Sequence, residues 1–149
     1  MNRLFLAFAF AVFTVIAPAA AADNWIIKDS ASDVSGTADK LVAAVEGAGA
    51  KVFARVDHAA GAASIDAELA PMTLVMFGNP RLGTPILQAA PQAGIDLPIR
   101  VLIWDDGGQT KIGYIDPASL KARYTVEGAD KSFEMMTGAL GKLTDAASK

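Results

Sequence analysis

The first apolar block of the chain is continuous rather than periodic. Leu4 to Ile16 is interrupted only by Thr14. Beyond Ala22 the apolar residues become periodic, and the period switches repeatedly between strand and helix spacing. Trp25-Ile26-Ile27-Lys28 predicts a first strand. Val34, Ala38, Leu41, Val42 and Val45 recur at helical spacing and predict a helix over 34–46. Ser32 or Asp33 is placed to cap its start, and Gly47 and Gly49 to end it. Residues 51–56 read as a second strand, with Val52, Ala54 and Val56 on one face. A short helix is predicted over 62–69, broken by Pro71.

Met72 to Phe77 is apolar apart from Thr73. That is the pattern of a central strand covered on both faces, or of an edge covered by a partner. Gly78-Asn79-Pro80 ends it, and Thr84-Pro85 opens a helix to about Ala90, with Pro85 at the first helical position. Pro91 and Pro98 frame a loop. Arg100–Trp104 and Lys111–Ile115 flank Asp105-Asp106-Gly107-Gly108, a hairpin signal. Asp116-Pro117 starts a short helix through about Arg123. Phe133, Met136, Leu140 and Leu143 mark a last helix over about 131–143. About five strands interspersed with helices predict an α/β (α+β) domain, a two-layer sandwich with a mixed sheet.

The opening block has the three parts of an export signal: Arg3, an apolar centre, and Ala20-Ala21-Ala22 before the cleavage point. Thirteen residues at about 1.5 Å rise cover roughly 20 Å, short of the ~30 Å hydrocarbon core. Residues 1–22 are therefore expected to be a cleaved signal peptide rather than a lasting membrane anchor. Without an Arg-Arg pair, the route is expected to be Sec-type and the destination periplasmic or secreted. Residues 23–149 then form one domain. Its net charge is −4, because Arg3 is the only charge lost from the −3 of the whole chain. A mildly acidic domain has no electrostatic footprint for nucleic acid or for anionic lipid. The absence of cysteine rules out disulfides, thiol nucleophiles, thiolate metal sites and covalent haem attachment.

Five segments carry a family resemblance. They are Phe53-Ala54-Arg55-Val56-Asp57-His58-Ala59-Ala60, Phe77-Gly78-Asn79-Pro80-Arg81-Leu82-Gly83-Thr84-Pro85, Gln88-Ala89-Ala90-Pro91, Asp96-Leu97-Pro98-Ile99-Arg100-Val101-Leu102-Ile103-Trp104 and Tyr114-Ile115-Asp116-Pro117. In this order they resemble the bacterial family called domain of unknown function 302. The resemblance implies a compact α/β sandwich and a homodimer, and it implies no activity. Two positions depart from the family pattern: Ile115 stands where a polar residue is usual, and Tyr124 about where a His is common.

His58 is the only histidine. One reading makes it a haem or metal ligand, or a base working with Asp57. The other has Asp57 cap a helix with His58 in its first turn. A metal site would need carboxylates or a second subunit besides His58. Gly78-x4-Gly83 imitates a phosphate-binding loop, but Thr84-Pro85 replaces the required Lys-Ser/Thr, which excludes nucleotide triphosphate hydrolysis. Arg81 with a helix N-terminus remains a candidate for holding a carboxylate or phosphate. Alternatively, Gly78 and Gly83 only shape turns and Thr84 caps the helix. Asp96, Asp105, Asp106 and Asp116 read as turn and cap residues. Tyr114 offers either a ligand-facing hydroxyl or a core ring. Phe53, Phe77, Trp104 and Phe133 read as core. No serine elbow is present.

The leading expectation is a non-enzymatic module that binds a small ligand or a partner through His58, Arg81, Gly83, Thr84 and Tyr114. The alternatives are a haem or metal protein using His58, an acid–base enzyme using His58 and Asp57, and a self-associating structural protein.

Overall fold

The computed structural model describes residues 24–149, so the expected signal peptide at 1–22 lies outside the described residues. The elements are β1 (Trp25–Asp29), α1 (Val34–Gly47), β2 (Lys51–Asp57), α2 (His58–Ala63), β3 (Met72–Gly78), α3 (Pro80–Ala89), a 3-10 turn (Pro91–Ile95), β4 (Ile99–Asp106), β5 (Gln109–Ile115), α4 (Ala118–Arg123) and α5 (Asp130–Ala147). The five strands form one sheet in the order β1-β5-β4-β3-β2. This is the expected α+β sandwich, with one correction: all four pairings are antiparallel, so the sheet is not mixed. β1 and β2 do run in the same direction, as a strand–helix–strand unit leads one to expect. Three strands stand between them, so they never pair.

Strand alternation decides which face is covered. Val75, Phe77, Val101, Ile103, Ile112 and Tyr114 are buried and point to the helices. They meet Leu41 and Val45 of α1 and Phe133, Met136 and Leu140 of α5 in one core. Met72, Leu74 and Met76, on the other side of β3, are only half-buried. β3 is thus an internal strand covered on one face, not two. Ser30 Oγ and Thr37 Oγ1 satisfy each other at 2.7 Å inside the core. Lys28, on the helix-facing side of edge strand β1, donates to Gly141 O, Thr144 Oγ1 and Asp145 Oδ1 of α5 at 3.1, 2.8 and 2.6 Å.

Local chemistry moved the limits of two helices and the register of one strand. Asp57 caps α2 by accepting from Ala60 N at 2.9 Å, so the short helix runs over 58–63 rather than 62–69. Asn79 caps α3 by accepting from Arg81 N at 3.0 Å, and Pro80 takes the first-turn place expected of Pro85. An Asx residue followed by Pro is itself a cap signal. Gly83, Thr84 and Pro85 therefore lie inside the helix, and Thr84 is not its cap. The pairing register of β2 shifts between Val52 and Ala54. Val52 opposes buried Phe77, whereas Ala54 and Val56 oppose Met76 and Leu74 on the open face. The bulge thus breaks the expected common face of the three residues. Gly107 and Gly108, with φ of 64° and 96°, make the β4–β5 connection a two-residue turn.

Candidate functional site

One end of the sheet carries an open cleft of about 320 Å³. It lies where β3 ends at Gly78, β4 begins at Ile99, and α3 leaves the sheet to run beside α5. Buried Phe77, Ile99, Met136, Leu140 and Leu143 belong to its lining, together with half-buried Leu82, Leu87, Leu97, Pro98 and Ala139. Phe53 stands half exposed on the β2 bulge and also lines it. It is not a core residue. Asn79, Gly83 and Thr84 line the side formed by α3. Among the described residues, no Asp, Glu, Lys, Arg, His or Tyr belongs to the lining.

The expected site residues do not converge. Gly83 and Thr84 line the cleft, whereas Arg81 is exposed on the same helix and does not. His58 is exposed and follows the end of β2 that pairs with Thr73, opposite the end that pairs with Gly78. Five steps along the strand at about 3.3 Å put roughly 16 Å between it and Phe53, the cleft residue of β2. Its neighbour Asp57 is occupied as a helix cap. Among the described residues no three His, Cys, Asp or Glu side chains gather to hold a metal. Tyr114 is buried on the helix face, and burial pushes its hydroxyl pKa up. It is the core ring, not a cleft residue.

A polar centre, apart from the cleft, lies in the loop before β4. Asp96 accepts from Arg100, from Arg123 Nη1 at 2.6 Å and from Tyr124 Oη at 2.6 Å. Burial acts to raise its pKa. The hydrogen bonds from Tyr124 and Arg123 and the charges of Arg123 and Arg100 outweigh burial and hold it below the usual carboxylate value. Asp116 stands one residue before Pro117, the N-cap of α4; its Oδ1 accepts from Ala118 N at 3.0 Å and from Thr137 Oγ1 at 2.8 Å, tying the start of α4 to α5. Asp105 accepts from Gly108 N in the hairpin turn.

The cleft-lining residues of α5 and the 97–98 loop were invisible as a site in the sequence, because apolar side chains at helical spacing signal only burial. Phe53 had a faint signal. It breaks the alternation of Val52 and Ala54, the mark of a bulge.

Residues 26–143 match the family model described as Domain of unknown function DUF302. A crystal structure of an uncharacterized conserved DUF302 protein from Bacillus stearothermophilus superposes with a TM-score of 0.75 at 17% identity. The match covers 84% of this chain and 98% of that one, and at this identity it shows the fold alone. Two curated Brucella proteins, named Fluoride-specific ion channel FluC 1, from B. suis biovar 1 (strain 1330) and B. abortus biovar 1 (strain 9-941), are 37% identical over 121 residues. The match covers 80% of this chain but only 48% and 45% of theirs, so the chain spans about half the length of these relatives.

Proposed function

The chain belongs to the DUF302 family, whose name records no activity, and from its geometry we propose a non-enzymatic module that holds a small ligand in the cleft beside α3. The observation that carries this reading is the cleft itself, which combines a volume of about 320 Å³ with an apolar lining that, among the described residues, holds no titratable side chain. General acid–base chemistry requires a titratable group within reach of the substrate, and His58 sits at the other end of the sheet. With the export signal removed, the module would act in the periplasm or outside the cell. The ion-channel name of the Brucella relatives is not extended to this chain, because about half of their length lies outside the match.

The test is native mass spectrometry of the protein purified from the periplasmic fraction. A retained small molecule, lost on heating or on filling the cleft, supports the reading. A chain that carries no adduct and whose melting temperature responds to no member of a small-molecule panel overturns it, as does any turnover abolished by His58→Ala.

A second reading concerns assembly and rests on the uncovered face of the sheet. Trp25 and Ile27 are 51% and 52% exposed there, beside half-buried Leu74, Leu102 and Ile115. Five strands about 4.8 Å apart and some six residues long give the whole face roughly 500 Å² in projection, within the range of the largest patch on an ordinary monomer, which is often functional. The charges at its rim are paired within the molecule, Lys111 with Asp29 at 2.6 Å and Arg100 with Asp96. A second copy would meet no unpaired like charge from these groups. Two copies are therefore proposed to associate through this face.

A further inference from the structure

We infer that the molecule held in the cleft is uncharged and apolar, with about ten non-hydrogen atoms and a hydrogen-bonding group, where it has one, beside Asn79 and Thr84. This rests on the ligand-binding reading above and names its chemistry.

The lining decides the charge. An ionised group entering this cleft would give up water and find no opposite charge among the lining side chains. Two exposed cations close to lining residues in sequence stand outside it. Arg81 is on the exposed side of α3, and Lys51 Nζ lies over the Phe53 ring, 5.5 Å from its centroid. The polar groups that remain are few. The side-chain oxygen of Asn79 is committed to Arg81 N at 3.0 Å, which leaves the Asn79 amide nitrogen, a donor, and the exposed Thr84 hydroxyl on the α3 side. The Gly83-Thr84 segment therefore acts as an apolar wall with one hydroxyl, not as an anion loop.

Size follows from volume. About 320 Å³ divided among units of about 30 Å³ leaves room for some ten. Phe77, Met136 and Leu140 are buried beneath this space, and the unbranched Met136 can adapt to an alkyl chain or a ring.

The probes are 1-octanol and octanoate, matched in chain length and differing in charge, measured by calorimetry and thermal shift at neutral pH on the exported protein. Octanol is expected to bind at least tenfold more tightly than octanoate. Gly83→Leu is expected to cost octanol at least tenfold. Gly83 lines the cleft and a Cβ there meets nothing within 4 Å, so this variant adds bulk at the cleft's α3 wall without crowding the fold. Ala139→Phe fills it from α5 and guards against misfolding of the first variant, with circular dichroism as the check on both. Octanoate binding as well as octanol, or better, overturns the ligand class and leaves the module reading standing. Octanol binding unmoved by both filling variants overturns the site. Failure of both probes, with no retained molecule in the native mass spectrum, removes the module reading as well.

Discussion

Tyr124 Oη donates to Asp96 Oδ2 at 2.6 Å, joining the loop before β4 to the residue that closes α4. Arg100 and Arg123 converge on the same carboxylate, so Asp96 is a joint between segments that share no strand pairing. A carboxylate whose folded pKa is depressed stabilises the fold above its unfolded value, and that contribution is lost as pH falls through the folded value. Asp96→Asn is therefore expected to lower stability at neutral pH by about 2 kcal/mol, the scale of hydrogen bonds to a charged group. The difference from the parent should shrink as pH drops below the ordinary carboxylate range. Urea denaturation across pH checks this. A difference that stays constant down to the acid limb would show that Asp96 is not held ionised by these donors.

The same joint shows where a reading of sequence stops. Asp96 resembled an ordinary loop acid, and Tyr124 registered only as a departure from a family pattern. Nothing in either position announced a bond across 28 residues. Local signals fared better where the chemistry is local. The periodicity of 34–46 and the Asp33 cap gave α1 nearly to the residue, and Gly107-Gly108 gave the hairpin. The start of α3 went astray because Asn79 sits at a strand end and a helix cap at once, and strand termination took it, whereas Asp57 caps a helix that begins at His58, as one of the two readings of that pair had it. Antiparallel pairing throughout was not readable, because it depends on where α1 carries β2, at the far edge of the sheet. The cleft depends on α3 settling beside α5, which no spacing within either helix encodes.

Leu41 of α1 is fully buried beneath the sheet. Leu41→Ala removes three carbons from a close-packed site and leaves a cavity that relaxes only in part, at a cost of about 2–5 kcal/mol. The denaturation midpoint should fall while the slope stays near the parent value. A loss below about 1 kcal/mol would mean that the α1–sheet contact is not part of the cooperative core.

Gly113 makes room for a ring. A Cβ built there would lie 3.1 and 3.2 Å from outer atoms of the Trp104 indole and 3.3 Å from Ile27 Cγ1. Gly113→Val must displace that ring. Trp104 is half-buried on the open face and can lift into solvent. In a Trp25→Phe background, which leaves Trp104 as the only tryptophan, the substitution should red-shift the emission. It should also destabilise by about 1–3 kcal/mol, offset in part by the strand preference of valine. An unshifted spectrum would mean that the indole does not lie over Gly113 in solution.

Leu102 discriminates between a solvated sheet face and an interface. It pairs with Leu74 on one side and Gly113 on the other, near the middle of the open face. On a monomer, Leu102→Glu places a charge on a half-exposed strand face and should change stability little. Across two stacked sheets, the same carboxylate would be desolvated opposite its own copy, a cost that dissociates the pair. Light scattering should therefore report twice the protomer mass for the parent and the single mass for the variant. The parent's melting temperature should rise with protein concentration and the variant's should not. A parent that is monomeric at high concentration, or a variant that remains paired, would assign the open face to something other than a second copy.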